Sequence, residues 1–147
     1  MRDVTDKINF FEGHNPRDLI AKFGTPLYVY NEKILRARCR EMTTICSYPK
    51  FSVNYAVKAN TNLSLLRIVR NCGCHADVSS VGEAVAAMAA GFLPHEMFFI
   101  VNNVSENELL FAVDKRIIVS VDSLSQISTL GKINEGGKIA LRFNSGV

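Results

Sequence analysis

From residue 51 onward the hydrophobic and polar positions change period again and again. Short runs alternating by two give way to longer stretches in which apolar residues fall three or four apart. Candidate strands begin near Phe51, His75, Met97, Ile117 and Lys138, roughly 20–24 residues apart, and each interval holds a helical pattern. Leu65, Ile68, Val69 and Cys72 form one apolar helix face that ends at Gly73. Ser80-Val81-Gly82-Glu83, Ser105-Glu106-Asn107-Glu108 and Ser123-Leu124-Ser125-Gln126 each have the spacing of a helix-capping box. Strands and helices alternating in this way predict an α/β fold with a parallel sheet and right-handed crossovers.

Before residue 51 the pattern differs. Asn15-Pro16, the run Arg17 to Phe23 and then Gly24 read as a short helix with an asparagine cap and a terminal glycine. Leu27 to Tyr30 has the content of a strand. From Asn31, Leu35, Cys39, Met42 and Cys46 describe one face of a helix that Tyr48-Pro49 ends. No linker or low-complexity segment follows, so the division falls between an N-terminal piece, 1–30, and one continuous unit, 31–147.

The rhythm alone does not separate an open sheet from the arc of a barrel; the faces do. In the first strand Phe51, Val53, Tyr55 and Val57 share one side, and Ser52, Asn54, Ala56 and Lys58 the other. His75, Asp77 and Ser79 fall together in the second, and Ala140, Arg142 and Asn144 oppose Ile139, Leu141 and Phe143 in the last. Polar groups gathered on one face suit a barrel interior opening on a site, whereas an open doubly wound sheet buries both faces in apolar residues. A complete eight-stranded barrel takes about 250 residues, so this chain fits part of one, about the first five strands.

Composition narrows the function classes. With 17 basic and 14 acidic residues the net charge is +3, too mild to argue for nucleic acid. A hydrophobic share of 48% with nine phenylalanines is enough for a real core. The start of the chain, Met1 to Asn9, is polar and mixed in charge, unlike a secretory signal. The longest apolar run, Ala84 to Phe92, is far short of the ~20 residues of a membrane helix. A soluble, cytoplasmic protein with free thiols at Cys39, Cys46, Cys72 and Cys74 is therefore expected. Cys72-Gly73-Cys74-His75 lacks a second ligand pair at zinc spacing, so no metal is expected. The chain has no Gly-x-Gly-x-x-Gly and no phosphate-loop motif.

Lys58 is the first residue to suspect, because the C-terminal end of a parallel sheet is where such folds bind ligands and do chemistry. A solvated surface lysine is the plainer reading of its position. Tyr55-Ala56-Val57-Lys58-Ala59-Asn60, His75 to Glu83 and Gly24-Thr25-Pro26-Leu27-Tyr28-Val29-Tyr30 together resemble, in order, segments of the alanine-racemase-like pyridoxal-phosphate-dependent decarboxylases, the diaminopimelate decarboxylases above all. The resemblance implies a partial (β/α)8 barrel, preceded by a short segment of a β domain that later sequence would complete. It implies that Lys58 holds pyridoxal phosphate covalently through its amine and later assists proton transfer. Such an amine reacts unprotonated, so Lys58 is expected to be largely desolvated on the inner face. Asp77 matches an aspartate near lysine and cofactor; a strand-end aspartate capping a turn is the alternative. Arg142 matches an inner-face arginine that positions the cofactor environment, and stands beside the reading of a surface arginine.

Other residues have local explanations. Glu83 fits a capping box, Asn60 a cap on the following helix, and His75 a packed or surface histidine. The chain departs from the family at Asn102-Asn103-Val104-Ser105, where a basic residue is usual. The family's ring-stacking histidine, glycine-rich phosphate loop and other cofactor residues lie farther along, so these 147 residues alone are not expected to form a competent enzyme. The implied activity is decarboxylation of diaminopimelate in lysine synthesis, by a homodimer. Decarboxylases of ornithine or arginine, racemases, and a non-catalytic binding protein are the competing readings.

Overall fold

The computed structural model describes residues 9–146; the first eight residues, which include most of the polar start discussed above, lie outside that range. Two helices come first, α1 (Pro16–Phe23) and α2 (Glu32–Thr43). Five strands then alternate with four helices: β1 (Asn54–Ala56), α3 (Leu63–Asn71), β2 (His75–Val78), α4 (Val81–Ala89), β3 (Met97–Ile100), α5 (Glu106–Asp114), β4 (Ile118–Val121), α6 (Leu124–Ile133) and β5 (Ile139–Leu141). The sheet is wholly parallel and its spatial order is β1-β2-β3-β4-β5.

That order separates the two candidate architectures. A doubly wound sheet reverses direction at a switch point, leaving sequence neighbours apart. Here every crossover advances one strand the same way, and crossovers of one hand then place all the helices on one face. The residues agree. Ala76 and Val78, Met97 and Phe99, and Val119 and Val121 are buried against Leu66 and Val69 of α3, Ala84 and Ala87 of α4, Leu109 and Ala112 of α5, and Leu130 of α6. Small alanines on α4 let that helix approach the sheet closely, and Phe99, fully buried on the central strand, fills the middle. The result is a five-stranded arc of β/α barrel that is not closed on itself.

The helices start as their caps dictate. Asn15, Asn31, Asn62, Ser80, Ser105 and Ser123 each accept a backbone N–H from the first turn of the helix that follows. Only Ser105 forms the reciprocal box, with Glu108 Oε2 accepting the Ser105 N–H at 2.9 Å. Glu83 reaches one residue farther back, to the Ser79 N–H at 2.8 Å, and Gln126 likewise to the Asp122 N–H at 2.9 Å. Glycines in the left-handed region, Gly73 (φ 85°) and Gly91 (φ 103°), turn the chain from α3 and α4 towards the next strand.

Several expectations are corrected. The first strand covers only Asn54–Ala56, because Val57–Ala59 tightens into a 3₁₀ turn. Residues 27–30 form no strand and pair with none among the described residues, and Tyr28 is 85% exposed. The second helix stops at Thr43, so Cys46 lies beyond it and only Cys39 of the supposed face is buried. Leu66, rather than Leu65 or Ile68, is the most deeply buried residue of α3. Asn60 does not cap α3; Asn62 does, while Asn60 donates to the Tyr30 hydroxyl at 2.7 Å. The inner face is not uniformly polar either, since Phe98 and Ile100 of β3 face the concave side.

Candidate functional site

The C-terminal ends of the strands enclose a cleft of ≈ 910 Å³. Lys58, Asp77, Ser79, Asn102, Ser120 and Arg142 line it, with Phe98 and Ile100 forming its apolar floor. All three residues singled out in the sequence are thus brought together from the ends of β1, β2 and β5, across 84 residues of chain.

Lys58 owes its place to Val57. That side chain is fully buried, and the 3₁₀ turn closed by the Asn60 N–H on the Val57 carbonyl (3.1 Å) swings the next residue over the strand end. Lys58 therefore enters the cleft by a turn and not by strand alternation. It is exposed, contrary to the expected desolvation, because the concave face of a five-stranded arc opens to water.

Asp77 follows from register. It pairs with Ala56 of β1 and Phe98 of β3, so its side chain shares the concave face while Ala76 and Val78 are buried beneath the helices. Its Oδ1 is buried and has no hydrogen-bond partner, an expensive arrangement for an acceptor. Burial raises the carboxyl above its ordinary value; the positive charge of Lys58 pulls it back, Glu83 raises it and Arg142 lowers it. Both cations thus lie close enough to act on the carboxylate.

Arg142 sits just past β5, where its backbone N–H extends the ladder to the Val121 carbonyl (2.8 Å). Its Nη1 donates to Asn102 Oδ1 at 3.0 Å. Asn102, Ser79 and Ser120 were not anticipated as site residues. For Ser79 and Ser120 a signal existed, since each falls two residues from an inner-face position or on one. Asn102 lies in the segment flagged only for its missing basic residue. His75 stands at the other end of β2, paired with Asn54, and takes no part in the cleft lining. Among the described residues no group of three or more His, Cys, Asp or Glu side chains is placed to hold a metal ion. No helix among them is long and apolar enough to cross a membrane.

The chain is similar to known proteins in sequence and in fold. The chain is 41% identical over 146 residues to the diaminopimelate decarboxylase of Methanothermobacter thermautotrophicus, covering 97% of this chain and 34% of that one. It is 36% identical to the enzyme of the same name from Archaeoglobus fulgidus, covering 100% and 36%. The chain spans about a third of the length of these curated relatives. Among solved structures, diaminopimelate decarboxylase from M. jannaschii in co-complex with L-lysine superposes with a TM-score of 0.79 at 28% identity, over 89% of this chain and 33% of that one. Residues 32–147 match the family described as pyridoxal-dependent decarboxylase, pyridoxal binding domain, and the chain belongs to that family.

Proposed function

We propose that this chain forms the lysine-bearing wall of the cofactor cleft in a pyridoxal-phosphate-dependent amino-acid decarboxylase, with diaminopimelate as substrate and lysine and carbon dioxide as products. The observation that carries it is the convergence of Lys58, Asp77 and Arg142 on one cleft at the C-terminal rim of the sheet. The residues present suit the cofactor. An amine, a guanidinium and several hydroxyl and amide groups match an anionic, aldehyde-bearing ring, and the unpartnered Asp77 Oδ1 offers a buried acceptor still to be satisfied.

Pyridoxal phosphate, when bound, supplies the electron sink for the bond broken as carbon dioxide leaves. Lys58, at the strand end in the cleft, would hold the cofactor through its amine and would then be placed to hold or deliver a proton at Nζ. Asp77 keeps the amine oriented and balances its charge, at the cost in desolvation noted above. Arg142 offers a forked cation to anionic groups. Phe98 and Ile100 offer apolar surface to a bound ring.

Residues 1–30 are read as the start of a separate β domain, a reading that the exposure of residues 27–30 supports. The working enzyme is read as a cytoplasmic homodimer whose further cofactor residues come from sequence not included among these 147.

The test uses full-length protein, pyridoxal phosphate, borohydride reduction and peptide mapping. The label is expected on Lys58, and Lys58→Ala is expected to lower carbon dioxide release from diaminopimelate by at least ~100-fold. A label on another lysine, or none, overturns the proposal. Release from ornithine or arginine in place of diaminopimelate reassigns the substrate alone.

A further inference from the structure

The ends of all five strands border the cleft, and one buried amide ties two of them together. Gln126, in the first turn of α6, is only 8% exposed. Its Oε1 accepts from the Asp122 N–H at 2.9 Å, just past β4, and its Nε2 donates to the Asn102 carbonyl at 2.8 Å, beyond β3. The partners fix the amide's orientation, since a backbone N–H only donates and a carbonyl only accepts. Asn102 then passes the constraint on, because its Oδ1 receives Arg142 Nη1 at 3.0 Å from beyond β5.

Helix capping does not account for this. At the equivalent position of α5, Glu108 turns back to Ser105, bonding both its N–H and its hydroxyl, and a cap needs no more. Glu83 of α4 returns to the Ser79 N–H. Gln126 alone of the three also donates to a second strand end, the Asn102 carbonyl beyond β3. An exposed arginine has many rotamers to lose on binding an anion, so one already held by an acceptor binds at lower cost.

We propose that Gln126 is a positioning residue: by clamping Asn102 it holds the Arg142 guanidinium in the cleft, set towards the anionic groups of cofactor and amino acid. The inference rests on the cofactor reading above.

The test is a double-mutant cycle in full-length protein, with the Kd of pyridoxal phosphate followed by absorbance titration and Lys58 labelling run in parallel. Gln126→Glu sets a carboxylate oxygen against the Asn102 carbonyl and is expected to weaken pyridoxal phosphate about tenfold, the scale of one hydrogen bond to a charged group. Asn102→Ala is expected to do the same by a route that leaves α6 untouched, and so serves if Gln126→Glu fails to fold. In an Arg142→Ala background either change is expected to add less than about twofold, since nothing remains to be positioned. A merely structural role predicts that the losses multiply, and that result overturns the inference. Wild-type Kd in both single variants, with Lys58 still labelled, overturns it while sparing the cofactor reading. No label at Lys58 in the parent protein overturns both.

Discussion

Asp77, in the lining of the cleft, carries a cost in stability. Burial comes first among the influences on its carboxyl and raises it, Glu83 adds to the rise, and Lys58 and Arg142 offset only part. A carboxyl whose folded value lies above its unfolded one holds its proton more tightly in the folded state. Its contribution to stability is present below the unfolded value and lost as the pH rises through the folded one. Once ionised, the group with its unpartnered Oδ1 is therefore a net cost. Asp77→Asn is expected to raise Tm by roughly 2–4 °C at pH 7, with the gain shrinking as the pH falls towards the ordinary aspartate range. Thermal melts of the chain across that range check it, and an unchanged or lower Tm at pH 7 contradicts it. Glu96 is the opposite case. Burial pulls it up, but the Arg70 fork (2.9 and 3.3 Å), the Leu93 N–H and His95 together hold it below its ordinary value, so its contribution is present above that value and lost on acidification. Elsewhere burial and the neighbouring Cys39 push the Cys74 thiol up to about 12, which leaves it an inert part of the core.

At the scale of elements, the helix starts were legible because capping is decided within four residues. Ser80, Ser105 and Ser123 all accept from the first turn at the positions their spacing marked, although only Ser105 completes the box. Asn60 misled because two asparagines lie two apart and either could cap; the 3₁₀ turn at Val57–Ala59 uses up the first and leaves Asn62 for α3. Asn62 accepts from both the Ser64 and Leu65 N–H groups. Asn62→Ala is expected to cost about 1 kcal/mol, read as a lower urea midpoint at an unchanged slope. The same turn explains why alternation placed Lys58 on the correct face for the wrong reason. Strand periodicity ends at Ala56, and the burial of Val57, not the pleat, aims the lysine.

For the whole molecule, the open concave face matters most. Lys58 is exposed and the cleft has walls only along the arc from β1 to β5. Pyridoxal phosphate is therefore expected to dissociate from these 147 residues at least about tenfold faster than from a protein of the relatives' full length, as read by desalting and absorbance. Equal retention by the two would show that this wall suffices alone. The alternation of strands and helices from residue 51 on, the serine caps and Lys58 at a strand end were determined by the sequence itself, because periodicity, capping and strand-end position are local properties of the chain, whereas Asp77 and Arg142 came from the resemblance to the decarboxylase family. Tertiary structure alone decided that Arg142 meets Asn102 forty residues away, that Gln126 joins two strand ends, that Asp77 keeps an acceptor without a donor, and that Lys58 stands in water. Those outcomes depend on which strand ends become neighbours and on whether the sheet closes, and neither is encoded within any one segment.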